Sequence, residues 1–161
     1  MSETSDKPGM RREVRVGRRV VTGFDSDGKS IISIDGPIPE AGVGRSSGRL
    51  VNWVWRAKEV PSPLGDASDP METYVGRRDW PAREGYLVGI FRWEPGSGYP
   101  MHTTPTIDVG FVLSGHIELI VERGSTVLGP GDCCVMRGTP HAWRVVGDEP
   151  CISAALMVAG K

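Results

Sequence analysis

Short apolar runs alternate along this chain with clusters of Gly, Pro and Asp. The runs are "VRVGRRVVTG", "SIISIDG", "LVNWVW", "YLVGIFRW", "IDVGFVLSG", "HIELIVE", "STVLGPGD", "CCVMRG", "AWRVVGD" and "CISAALMV". They are rich in β-branched and aromatic residues and are bounded by turn formers, which predicts strands joined by turns. No stretch joins a capping residue to an amphipathic run of ordinary helix length. The expected fold class is all-β, a sandwich or barrel, with the first runs forming an N-terminal β extension. Residues 57–85 break the rhythm with a polar, proline-rich segment. A connection that long usually covers something or works as a lid, and a mobile cover is the expectation.

Within "MHTTPTIDVGFVLSG", reading residues 102–113 as one strand sorts the side chains onto two faces. His102, Thr104, Thr106, Asp108, Gly110 and Val112 fall on one face, and Ile107, Val109, Phe111 and Leu113 on the other. The second face is too apolar to be left wet, so a second sheet, the N-terminal segment or another subunit must cover it. A homodimer is the expectation.

A chain of 161 residues is one domain's worth. Residues 1–10 are polar and unpatterned, which predicts a disordered lead-in, with a single domain over 11–161. The net charge of −1 offers no global field for nucleic acid or an anionic membrane. Arg11, Arg12, Arg15, Arg18 and Arg19 alternate with Val14, Val16 and Val20 and lack interleaved aromatics, so a solvated strand face is preferred to a nucleic-acid arm. No window approaches the ~18 apolar residues of a membrane span, and the opening "MSETSDKPGM" lacks a signal-peptide core, so a cytosolic protein is expected. Cys133, Cys134 and Cys151 are odd in number, and read as small buried hydrophobes. The GxG in "GVGRSSG" has neither the continuation nor the setting of a dinucleotide site.

The chemistry concentrates on few residues, because the chain has only three histidines. The turn "GPGD" starts one strand, "RGTP" bends the chain, and His141 opens the next run with Trp143 and Val145 on its face. A hairpin-rich barrel could bring that strand beside the one carrying His102 and Asp108. Two imidazoles and a carboxylate make a facial ligand set with open positions, since both donor types bind a divalent ion and the ion offsets the cost of burying the acid. Taken singly, each of the three suits a satisfied structural role as well as a ligand; together with the turn pattern they favour the ligand set. His116, beside a turn, reads as exposed.

These strings resemble the cupin family. Its first motif is matched by Gly96 or Gly98, His102, Asp108 and Gly115, and its second by Gly131, Asp132, Gly138 and His141, so the core motifs span 96–141. Thr104 stands where the family's second histidine would be, Asp108 replaces the commoner Glu, and Met136 replaces a proline. "RRVVTGFDSDGKS", "DGPIPE", "MHTTPTIDVGFVLSG" and "RGTPHAW" also resemble a subgroup of small bacterial and fungal cupins with "MHRTxTxDY" and "QRGTxHAW" patterns. In that subgroup Thr at the position of Thr104 is usual, whereas Thr103 and Val109 depart from it.

The resemblance implies a cupin jelly-roll β-barrel. His102, Asp108 and His141 would hold one divalent transition metal (Fe, Mn, Ni or Zn). The expected function is a decarboxylase, lyase or isomerase acting by Lewis-acid catalysis on a small carboxylate or enolisable carbonyl compound. Alternatives are an iron dioxygenase on the same ligands and a non-catalytic small-molecule binder. Thr104 would orient a bound water, and Arg137 would pair with a substrate carboxylate if it points inward. Trp53, Trp55, Phe91, Trp93 and Trp143 are candidate pocket walls, each of which also suits simple core packing.

Overall fold

The computed structural model describes residues 17–39, 48–64, 67–72, 74 and 84–161. The expected lead-in over 1–10, with Arg11, Arg12 and Arg15, lies outside them. The described residues form eleven strands and no helix: β1 (Arg18–Phe24), β2 (Ser30–Pro37), β3 (Arg49–Ala57), β4 (Tyr86–Trp93), β5 (Gly98–His102), β6 (Thr106–Ser114), β7 (His116–Val121), β8 (Gly124–Leu128), β9 (Cys133–Arg137), β10 (His141–Val146) and β11 (Cys151–Ala159). The strands are antiparallel. A five-stranded sheet ordered β3-β4-β11-β6-β9 and a four-stranded sheet ordered β5-β10-β7-β8 carry the core, and β1-β2 make a separate hairpin. Among the described residues no helix is long and apolar enough to cross a membrane.

Side chains from both sheets meet in one apolar cluster. Trp93, Val112 and Cys151 of the larger sheet bury against Ile117 and Val145 of the smaller. A second cluster joins Leu87 and Met157 to Met71 and Tyr74 of the long loop. The loop is therefore docked at residues 69–71 and 74, while Val60 and Leu64 before them are exposed. Asp69 anchors it by accepting bonds from both terminal nitrogens of Arg19, and Arg56 donates from Nε to the Pro70 carbonyl at 3.1 Å. Arg19 is accordingly not on a solvated face: its side chain is only 7% exposed, while Arg18 beside it stays exposed and pairs with Asp35.

The segment 102–113 is not one strand. Pro105 cannot donate to a ladder and biases Thr104 away from regular continuation, so the chain breaks over Thr103–Pro105. β5 and β6 then join different sheets. The alternation holds within β6, where Thr106, Asp108 and Val112 are buried while Ile107, Phe111 and Leu113 are 44%, 45% and 53% exposed. Reading faces across the break was the error. "GYPMH" also forms a strand that its composition hid, with Pro100 tolerated because β5 is an edge strand.

Candidate functional site

β5 ends at His102 and β10 begins at His141, and the two residues are directly paired across the antiparallel ladder. Close approach of the strands depends on Gly98, where a Cβ would stand 2.3 Å from the Trp143 carbonyl oxygen. Cross-strand pairing brings the imidazoles to 4.3 Å between ring centroids, tilted by 53°. Each ring donates from Nδ1 to the carbonyl two residues earlier, His102 to Pro100 and His141 to Thr139, both at 2.9 Å. That bond keeps a proton on Nδ1 and points Nε2 away from it, so that in the neutral ring the Nε2 lone pair is left for other chemistry. Burial pushes His102 below the ordinary imidazole range, and the charges of His141 and Arg49 act in the same direction. His141 is 1% exposed.

An aromatic series leads away from the pair. Trp143 meets His141 edge-on at 5.8 Å, Trp93 lies 6.3 Å from Trp143, Phe91 stacks 6.2 Å from Trp93, and Trp53 meets Phe91 at 5.8 Å. Gly89, opposite Trp53 in the ladder, leaves room for that indole, since a Cβ there would be 2.7 Å from the ring. Four of the five expected aromatic residues thus form one wall. Trp55 does not join it: the register shifts between Trp53 and Trp55, and Trp55 makes no ring contact among the described residues.

Asp108 sits on the other sheet, 4% exposed, with Met136 and Met157 as its ladder partners. Its two carboxylate oxygens accept from the hydroxyls of Thr104, at 3.0 Å, and Thr106. Thr104 is therefore a buried brace for the acid, linking the β5–β6 turn to β6. The donor chemistry fits a metal at the two imidazoles. Asp108 turns its oxygens to the threonine hydroxyls, and no group of three His, Cys, Asp or Glu among the described residues is placed to hold an ion. His116 is exposed, as expected.

Arg137 is exposed and paired with Ile107 on the outer face of the larger sheet, so it does not reach the interior. Alternation in β9 explains this, since Cys134 and Met136 take the inward positions. The cysteines divide in the same way: Cys151 is buried, Cys134 half-buried and Cys133 exposed, which corrects the reading of all three as buried. Burial raises the Cys151 thiol to about 11.

Arg49, unlike Arg137, reaches the aromatic wall. Its Cζ lies 4.2 Å from the Tyr99 ring centroid, 5.2 Å from Trp93 and 5.9 Å from Phe91, and Tyr99 in turn meets His102 edge-on at 4.6 Å. Both residues escaped sequence reasoning. Arg49 had a signal, because alternation in "RLVNWVW" puts it on the face of Val51 and Trp53. Tyr99 had none while its strand went unrecognised.

A cupin domain model matches residues 89–158, which include both histidines and most of the aromatic wall. A phomopsin biosynthesis cluster protein C' of Diaporthe leptostromiformis is 34% identical over 82% of this chain and 72% of its own length. A cupin-domain-containing oxidoreductase of Hypocrea virens is 26% identical over 96% of this chain and 78% of its own. Among solved structures, an uncharacterised conserved protein with a double-stranded β-helix domain from Klebsiella pneumoniae superposes with a TM-score of 0.52, at 18% identity, over 75% of this chain and 85% of its own. Two facing antiparallel sheets, the paired histidines on β5 and β10 and these likenesses agree: the chain belongs to the cupin family.

Proposed function

We propose that this cupin is an enzyme acting on a small carboxylate or enolisable carbonyl compound, by a decarboxylase, lyase or isomerase type of reaction centred on His102 and His141. The observation that carries the reading is the imidazole pair itself: two rings, each anchored through Nδ1, beside an aromatic wall that spans both sheets. Anchoring fixes where each Nε2 lone pair stands, so substrate meets a preorganised pair and no reorientation is needed in the transition state. Trp143 and Trp93 exclude water beside that pair, which strengthens every charge interaction there. Thr104 and Thr106 hold Asp108 as a carboxylate acceptor behind the β5–β6 turn.

A divalent transition metal (Fe, Mn, Ni or Zn), when bound, would be held by the Nε2 atoms of His102 and His141 and would supply Lewis-acid polarisation of a substrate oxygen. The test is a panel of keto and hydroxy acids offered to protein loaded with each metal in turn, following CO₂ release, O₂ uptake and product mass. Turnover lost in both His102→Ala and His141→Ala, and kept in His116→Ala, is the expected result. Full turnover in either of the first two overturns the reading. An oxidoreductase is the second reading, favoured by the name of the Hypocrea virens relative. O₂ uptake matching product would select it.

A further inference from the structure

We propose that Arg49 receives the anionic group of the bound small molecule, making this site selective for a carboxylate over its neutral counterpart. The inference rests on reading the interior as a small-molecule site, but not on the chemistry given to the histidines.

Three observations carry it. Arg49 rises from β3 of the larger sheet and reaches Tyr99 of the smaller, so its guanidinium bridges the interior on the side where Tyr99 adjoins His102. Its surroundings are π faces: Tyr99, Trp93 and Phe91 all lie within 6 Å. Cation–π contacts offset only part of the cost of desolvating a charge. Finally, its Nε is buried without a hydrogen-bond partner, and no carboxylate pairs with the side chain among the described residues. A guanidinium offers a planar fork that matches a carboxylate with two parallel bonds, and no carboxylate of the described residues takes it here. Spans of 4.2 Å from Arg49 to Tyr99 and 4.6 Å from Tyr99 to His102 let one small acid touch the guanidinium and lie toward the imidazoles.

The experiment titrates the full chain with sodium acetate, benzoate and succinate, and with acetamide, benzamide and succinamide, read by tryptophan fluorescence. Trp93 and Trp143 flank the site and report occupancy. Wild type should bind at least one acid about tenfold or more tightly than its amide, and Arg49→Gln should erase that preference while leaving amide affinity within about twofold. No acid preference in wild type, or the same preference in Arg49→Gln, overturns the proposal. If Arg49→Gln does not fold, Arg49→Lys decides: it keeps a charge but loses the planar fork, so the preference should fall by about threefold or more, and an unchanged preference overturns the proposal. His102→Ala should keep the preference. Loss of turnover selectivity without loss of acid binding would therefore count against the histidine chemistry alone.

Discussion

Replacing Arg19 with Met tests whether the long loop is fastened by one buried ion pair. Arg19 donates from Nη1 to Asp69 at 2.9 Å, from Nη2 to the second carboxylate oxygen, and weakly to the Val54 carbonyl at 3.3 Å. The pair is all but inaccessible, at 7% and 9% side-chain exposure. Arg19→Met removes two charge-assisted bonds at about 1.5–3 kcal/mol each. It strands Asp69 with a single backbone donor, the Met71 N–H at 3.0 Å. Breaking one side of a buried pair costs about 3–5 kcal/mol, the same range. The double variant Arg19→Met with Asp69→Leu leaves no orphaned charge and should fall within about 2 kcal/mol of wild type, so the coupling between the two sites is of similar size to the single loss.

Urea unfolding followed by tryptophan fluorescence measures all four members of that cycle, with a constant m-value as the check that only stability has changed. The same cycle has a pH signature. Hydrogen bonding from Arg19, with help from the Met71 amide and the Arg19 charge, holds the Asp69 carboxyl below the usual carboxylate range against the opposing effect of burial. A depressed folded-state value means that the contribution is whole above the unfolded pKa, about 3.9, and disappears as pH falls through the lower folded value. Wild type should therefore lose stability in acid relative to the double variant, which has no carboxyl at this position. A single loss below about 1 kcal/mol, or a wild type whose stability relative to the double variant does not fall in acid, refutes the argument.

Other outcomes are expected with less arithmetic. Metal content after expression with added Fe, Mn, Ni or Zn should collapse in His141→Ala and His102→Ala and persist in His116→Ala; retention in the first two would remove the imidazole pair as the donor set. Thr104→Val deletes one of two hydroxyl donors to a buried carboxylate, and should cost about 1.5–3 kcal/mol in urea unfolding; a loss under 0.5 kcal/mol on the order of error would show the bond to be idle. We propose that the exposed face of Ile107, Phe111, Leu113 and Val135 is covered by a second copy of the chain. Light scattering should then give a dimer for wild type and a monomer for Phe111→Glu, and a wild-type monomer at micromolar concentration would overturn this. Gly98→Ala should separate β5 from β10, read as lower stability together with lost metal binding, because its Cβ would collide with backbone rather than with a side chain that can turn aside.

The fold was legible because a strand writes its own period into the chain: β6, β9 and β10 each alternate in and out as their residues suggest. Turn chemistry was equally plain at Gly115, whose φ of 68° and closeness to Pro150 suit only glycine. What the pattern could not show was where a face is interrupted. Thr103–Pro105 separates His102 from Asp108, and two residues that alternation places together end on different sheets. His141 was found through its turn, and His102 through alternation over 102–113, but their partnership is a product of sheet pairing between residues 39 apart, which no local window contains.

The same reasoning separates the two interior arginines. Arg19 and Arg49 are each the first or second residue of a strand, and each is drawn in among buried groups. For Arg19 the chain supplies a two-pronged carboxylate, so the charge is answered within the fold and contributes to holding the loop. For Arg49 the described residues supply aromatic faces and the Tyr99 phenol but no carboxylate, and burial accordingly pushes it below the usual guanidinium range, with Tyr99 acting in the other direction. A buried guanidinium without a counterion carries a desolvation cost that an apolar side chain in its place would not. Retaining the charge makes physical sense if its counterion arrives from outside. The expected signature is a stability trade: Arg49→Met should melt no lower than wild type in the absence of ligand, and should gain nothing from added benzoate, whereas wild type gains. A large drop in melting temperature for the free variant would instead make Arg49 the fastener of its aromatic neighbours.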